Sequence, residues 1–222
     1  MSNQFKPILN RTAQLAGVDV TEIPDAFFRT VRDLCDARLN WSWNAADFPE
    51  TVEFVEVAFA DNVAALPSGY SNVISLHKVD PAAAPSREEA FVRAGDTIIC
   101  RSAGDDTLWA KLKLEAPTLT GEVYDADATY SIGDQVYKNG SFWNLQGTHS
   151  SAPPSAEWEE VVIPKRFTSY CAVGTWSDVL RSRDMHDQAI AAEAQAEGAL
   201  ALEIDRLYNQ EGQLPSTRIL TR

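Results

Sequence analysis

Apolar and polar positions along the chain change rhythm twice, from helical spacing to alternation and back. In residues 5–16 the apolar positions are Ile8, Leu9, Ala13, Leu15 and Ala16, one face of a short helix that Gly17 ends. Thr21 is placed to cap a second helix with Pro24 in its first turn. Phe27, Phe28, Val31, Leu34, Cys35 and Leu39 fall on one side of it, and Arg29, Arg32, Asp33, Asp36 and Arg38 elsewhere. That helix runs into Trp41-Ser42-Trp43 and Asp47-Phe48-Pro49, where the proline stops it. The paired tryptophans read as filling the corner where the helices meet the next element; stacking platforms for a ligand are the alternative.

Alternation then takes over. Val52, Phe54, Val57 and Phe59 interleave with Glu53, Glu56 and Ala58 as in a strand, and residues 66–69 (Leu-Pro-Ser-Gly) make a turn. A strand over residues 72–79 and a loop over 80–86 follow. Residues 89–102 and 108–114 read as two strands of a hairpin joined across Ala103-Gly104-Asp105-Asp106-Thr107. The vicinal Asp105 and Asp106 are read as turn residues in preference to paired catalytic carboxylates. Past the boundary at residues 116–121, residues 130–137 alternate, Lys138-Asn139-Gly140-Ser141 is a tight turn, and residues 142–147 return. A proline loop at 150–155, Trp158 and a last short strand at 160–163 complete a small β-module.

After Pro164 helical spacing resumes. Phe167, Tyr170, Cys171, Val173 and Leu180 form one face of a helix that Gly174 weakens. Residues 184–213 contain no proline and are rich in Ala, Glu, Gln and Leu, so they predict a helix of roughly 40 Å. Its expected face is Ile190, Ala194, Ala196, Leu200, Ile204 and Leu207, with Ser182 or Asp184 as cap and Gly212 and Pro215 as stop. A helix that long has a face for this chain and another for a neighbouring copy. The expected fold class is α+β, with a helical bundle from the N- and C-terminal segments, a β-rich middle and a small inserted β-module. The expected segments are 1–49 (helical), 50–117 (β-rich), 118–163 (β-module) and 164–222 (helices and a tail, packing with 1–49).

Composition narrows the function. The chain has 32 acidic and 19 basic residues, a net charge of -13, which is the wrong sign for non-specific nucleic-acid binding. Cys35, Cys100 and Cys171 stand far apart and suit core positions in a reducing compartment. The first residues lack a signal-peptide pattern, and no apolar run is long enough to span a membrane. His77, His149 and His186 have no metal-site spacing, and phosphate-loop, dinucleotide and nucleophile-elbow motifs are missing. The expectation is therefore a non-enzyme without cofactor, metal or catalytic residues.

Two resemblances sharpen it. Tyr130-Ser131-Ile132-Gly133-Asp134-Gln135-Val136-Tyr137, then Gly140 and Trp143, resembles the small chitin/cellulose-type carbohydrate-binding modules. Tyr124 stands at their leading Trp position, Pro153 and Pro154 in their proline loop, and Trp158 at their closing Trp. That resemblance implies a possible glycan face made of Tyr124, Tyr130, Tyr137, Trp143 and Trp158, although the exposed aromatic pair often found after the second strand has no counterpart here. The favoured reading is structural, with large rings forming the core of a very small domain.

The order of motifs over most of the chain resembles the head-to-tail connector (adaptor, neck) proteins of tailed bacteriophages. Its carriers are the Trp41/Trp43 corner with Asp47-Phe48-Pro49-Glu50, the line from Leu108 through Pro117 to Thr120, the Tyr-x-x-Gly-Asp-x-Val module, and the closing helices around residues 179–189 and 203–213. What it implies is a virion structural protein, made in the host cytoplasm and seated at the capsid vertex as a ring of roughly twelve copies. Its partners would be the portal protein and the tail or nozzle proteins, with packaged DNA passing an acidic lumen and no membrane involved. The tail residues Pro215, Ser216, Thr217, Arg218, Ile219, Leu220, Thr221 and Arg222 would dock on a partner, extended as a strand. The alternative from another class is a carbohydrate-binding protein for a cell-surface polysaccharide. A polysaccharide hydrolase using Glu159 and Glu160 is disfavoured, because neighbours on a strand point to opposite faces.

Overall fold

The computed structural model describes residues 5–81, 83–84 and 86–211. The fold is mixed α+β, and the chain divides into two compact units, one of residues 1–46 with 117–222 and one of residues 47–116.

In the first unit, α1 (Phe5–Leu15) buries Phe5, Ile8, Leu9 and Ala13, and Thr12 Oγ1 donates to the Ala172 carbonyl at 3.2 Å. α2 (Asp25–Asn44) starts after Pro24, not at Thr21. Pro24 is extended (φ -63°, ψ 142°) and carries no capping side chain, whereas the Thr21 amide and hydroxyl both donate to Asp19 Oδ1. Thr21 thus closes a turn of its own, and the proline sets the helix start by its fixed φ. The two tryptophans do not share one corner. Trp43 is buried against Phe167, ring centroids 6.1 Å apart, but Trp41 is 69% exposed, since a two-residue step turns a helix about 200°.

α3 (Thr168–Ser182) is central: α1, α2 and α4 (His186–Glu211) each pack on it. Its burial is not confined to one face, for Tyr170, Cys171, Ala172, Val173, Gly174, Thr175, Ser177, Val179 and Leu180 are all covered. Gly174 is there for room: a Cβ at that position would lie 3.1 Å from Cδ of Arg38. A three-residue link with Asp184 at φ +58° turns the chain into α4. Neither Ser182 nor Asp184 stands at the N-cap of α4: Met185 does, its carbonyl accepting the Ala189 amide at 3.0 Å, while the Ser182 hydroxyl donates back to the Val179 carbonyl. The buried stripe of α4 is Ala189, Ala192, Ala196, Leu200 and Leu207; Ile190 and Ala194 are exposed. Alanine on the inner face lets α4 approach α3 closely, and Ser177 Oγ donates to the Ala189 carbonyl at 2.8 Å.

The β-module belongs to this unit. β7 (Glu122–Val123), β8 (Gln135–Lys138), β9 (Ser141–Leu145) and β10 (Trp158–Glu160) form one sheet in the order β10-β9-β8-β7, with β7 parallel to β8 and the other pairs antiparallel. β8 is shorter than its alternation predicts, because Ser131, Gly133 (φ +93°) and Asp134 turn, the Ser131 amide donating to Asp134 Oδ2. β10 starts at Trp158 and ends at Glu160, earlier than predicted. Asn139 (φ 56°) and Gly140 (φ 93°) make the two-residue hairpin turn. Gly121 touches the backbone of β8 where a Cβ would lie 2.9 Å from Gln135 and Val136 main-chain atoms. Gln135 clamps this approach, accepting from the Thr120 and Gly121 amides and donating to the Thr118 carbonyl and Asn144. From α2, Arg29 and Arg32 hold Glu122, and Asp36 accepts the Leu119 amide at 2.6 Å.

In the second unit, β1 (Val52–Ala58), β6 (Thr107–Leu114) and β3 (Tyr70–His77) form an antiparallel sheet with β6 in the middle. β2 (Val63–Ala65), β5 (Thr97–Ile99) and β4 (Val92–Ala94) form a second, in the order β2-β5-β4. The predicted hairpin of residues 89–102 with 108–114 does not form. Gly95 at φ +61° breaks the first segment into β4 and β5, and Arg93 braces that turn by donating to the Gly95 and Ser71 carbonyls. β6 lies between two other strands because Leu108, Ala110 and Leu112 need cover, and they join Val57, Leu76 and Ile98 in one core. Asp105 serves a turn, its Oδ1 accepting the amide of Asp61 (φ 51°) at 2.8 Å.

Candidate docking groove

A concave surface lies within the first unit, between α2 and α4 above α3. It has a volume of about 650 Å³, and its apolar wall is Ala37, Trp41, Leu200, Ala201 and Ile204. α2 presents Ala37, Arg38 and Trp41 at one-turn spacing, so the arginine reaches inward while the tryptophan stands at the rim.

The floor is a charged quartet. Arg38 donates from Nε and Nη2 to both oxygens of Asp178, each at 2.7 Å, and from Nη1 and Nη2 to both oxygens of Glu193, each at 2.6 Å. Arg181 completes it, 2.9 Å from Asp178 and 3.1 Å from Glu193. The Arg38 side chain is only 12% exposed, and Asp178 and Glu193 are 21% and 20% exposed. Burial opposes the Arg38 charge, but the hydrogen bonds of Asp178 and Glu193 outweigh it and raise the guanidinium pKa. The same bond from Arg38 lowers the Glu193 pKa against the opposing effect of burial. Both carboxylates are chelated by guanidinium groups, an arrangement suited to rigid positioning more than to proton transfer. Outside this groove α4 exposes Ile190 (67%) and Tyr208 (62%) on one flank and Leu202 (59%) about 120° round the helix from them.

The aromatic residues of the β-module divide into two groups. Tyr124 and Tyr130 stack with centroids 5.5 Å apart, and Trp158 meets them edge-on at 6.4 and 5.7 Å. Trp158 is buried, its indole N–H donating to the Ser151 carbonyl; Trp143 packs on the same core and donates to the Lys138 carbonyl. Tyr137 is apart from them, because alternation along β8 turns it to the other side, onto Phe5, Phe28 and Phe142 at 5.5, 4.9 and 5.3 Å. Burial pushes its hydroxyl pKa up to about 12. Lys138 Nζ lies 4.3 Å over the Tyr124 ring, and His149 joins the cluster 5.2 Å from Tyr130. Tyr124, Tyr130, Tyr137 and Trp143 are all half-buried.

Sequence reasoning gave no role to His149 or to the Arg38 quartet. His149 precedes the proline loop, which carries the chain back over the module. For the quartet the signal was Arg38 one turn before Trp41 on α2, but its acceptors lie on two distant helices. Glu159 and Glu160 accept from Gln146 and Ser141 respectively. Cys35, Cys100 and Cys171 are buried thiols. The tail residues Pro215 to Arg222, like the Gly212 stop, lie outside the described residues. Among the described residues no group of three or more His, Cys, Asp or Glu side chains is arranged to hold a metal ion, and no helix is long and apolar enough to cross a membrane. No family model matches the chain, and no curated protein matches it significantly.

Proposed function

We propose that this chain is a structural subunit of a tailed-phage virion, a head-to-tail connector that forms a ring between the portal and the tail. The observation that carries this reading is the outer side of α4, a 26-residue helix with Ile190, Leu202 and Tyr208 exposed, next to a groove rimmed by exposed Trp41. Large apolar side chains left uncovered by their own chain on a long helix, Ile190 and Tyr208 on one flank and Leu202 about 120° round from them, suit contact with neighbouring subunits. In this reading segments 1–49 and 164–222 form the ring-building helical bundle. The β-module then faces capsid, tail or fibre proteins, and residues 215–222 dock on a partner protein. The net charge of -13 favours a lumen along which DNA slides without sticking.

The test is a cryo-EM reconstruction of the capsid vertex without icosahedral averaging. The expected result is a multi-copy ring of this chain beneath the portal, with α4 at the seam between copies. Particles carrying Ile190→Asp with Tyr208→Asp should then lack tails although the purified variant folds as the parent does. A vertex that contains no copy of this chain would overturn the assignment.

A further inference from the structure

We propose that the groove between α2 and α4 receives an arginine side chain of a partner protein, presented beside an aliphatic residue. The guanidinium stacks on Trp41 and bonds to Glu197, and the aliphatic neighbour rests on Leu200, Ala201 and Ile204. The site belongs to the chain whether or not it builds a ring.

Helix directions bring the two halves of such a site to one level. α2 runs antiparallel to α3, because Arg38 meets Gly174 and Asp178 whereas Trp43, further along α2, meets Phe167, which precedes α3. α4 follows α3 after a three-residue link and packs along it, so it too runs antiparallel to α3. α2 and α4 therefore run the same way, and the bonds from Arg38 to Glu193 fix their register. One turn further along each helix, Trp41 and Glu197 line the same cavity, and Leu200, Ala201 and Ile204 continue its α4 wall.

Charge selects the occupant. Arg38 and Arg181 neutralise Asp178 and Glu193, whereas Glu197 is exposed and has no hydrogen-bond or ion-pair partner among the described residues. The lining thus sets two guanidinium groups against three carboxylates, on a chain of net charge -13. Trp41 is 69% exposed, which leaves a face of its indole free for a cation. An arginine answers both groups, because its plane stacks on an aromatic ring while its fork bonds to a carboxylate; a lysine ammonium matches that pair less well. The cavity of about 650 Å³ has the size of a small-ligand pocket, room for one such side chain and an aliphatic neighbour. An acidic segment would meet Glu197 with like charge, and a purely aliphatic one would leave that carboxylate unanswered.

The probe is the peptide acetyl-Leu-Arg-Leu-Leu-amide, titrated into the full isotope-labelled chain and followed by NMR at the Trp41 indole N–H and the Ala201 amide. The expected result is a saturable shift of both signals. Glu197→Gln should weaken binding by about five- to tenfold, and Trp41→Leu, followed at Ala201, by a similar factor. Both side chains are exposed, so neither change removes a core contact, and circular dichroism checks that the fold is kept. The same peptide with citrulline for arginine, nearly isosteric but uncharged, should bind the parent about as weakly as the arginine peptide binds the Glu197→Gln protein. Equal affinity for the citrulline peptide would show a merely apolar groove. Signals unmoved up to about 10 mM peptide would show no receptor at all. Dimers of the parent that Trp41→Leu abolishes in sedimentation would show a second copy seated there. Each of these three results overturns the proposal, while the vertex reconstruction decides the ring assignment separately.

Discussion

Arg38→Ala removes the α2 side chain that bonds to both Asp178 on α3 and Glu193 on α4. Breaking a buried ion pair by deleting one partner costs about 3–5 kcal/mol, because the other charge stays behind in a poor solvent. Here the two carboxylates keep Arg181 and retain about a fifth of their exposure, so screening and the remaining partner reduce the loss to about 2–3 kcal/mol. With a urea slope of ~1–3 kcal/mol per molar, the unfolding midpoint should fall by roughly 1 M. The sign with pH follows from Glu193, whose folded pKa is depressed. Its contribution is fully present above the unfolded carboxyl value, about 4.3, and is lost as pH falls through the folded value. Parent and Arg38→Ala curves should therefore lie far apart at pH 7 and converge in acid. A midpoint shift below about 0.2 M at pH 7, or a gap that does not narrow in acid, would refute this account of the quartet.

Gly121→Ala forces a Cβ to within 2.9 Å of the Gln135 main chain and should destabilise the first unit by about 1–3 kcal/mol in the same urea assay. Gly198→Ala works the other way: it is in mid-α4 with nothing within 4 Å of the new methyl, so a gain of about 0.5–1 kcal/mol is expected by thermal melting. Trp158→Ala should cost about 3–5 kcal/mol and abolish the near-UV signal of the stacked tyrosines, since it removes the buried ring on which Tyr124 and Tyr130 rest.

Local chemistry was readable at several positions where one residue decides the conformation. Gly17 ends α1, Asn139 and Gly140 make the β8–β9 turn, and the Ala- and Glu-rich run before Gly212 forms α4. What escaped was pairing over distance. The alternation of residues 89–102 says that a strand is present, but not that Gly95 splits it or that β5 pairs with β2. Helical periodicity likewise gives the spacing of a buried stripe without its absolute position when alanines are scattered all round. On α4 this placed Ala196, Leu200 and Leu207 correctly but put Ile190 and Ala194 inside, where Ala189 and Ala192 complete the buried stripe. The groove was hidden for the same reason: Trp41 reads as a core residue until α2 is known to turn it about 200° from Trp43. Of the possible glycan residues, the tyrosine and tryptophan positions were legible, but not that Tyr137 packs on Phe5 and Phe28.

The quartet also explains why a groove exists at all. Two helices packed on a common third helix gain by closing on one another, since apolar contact between them removes surface from water. α2 and α4 are held apart because Arg38 lies between them and must keep four short bonds to two carboxylates on different helices. A planar guanidinium fixes those distances far more strictly than an aliphatic side chain would. Gly174 adds the space that lets the arginine lie flat against α3. Replacing Arg38, Asp178 and Glu193 together by apolar residues of similar size would tend to raise stability, as buried ion pairs often cost more in desolvation than they return. The same change would let α2 and α4 approach and cover Trp41. The charged floor therefore makes sense as the means of keeping an apolar groove open, at some expense in stability.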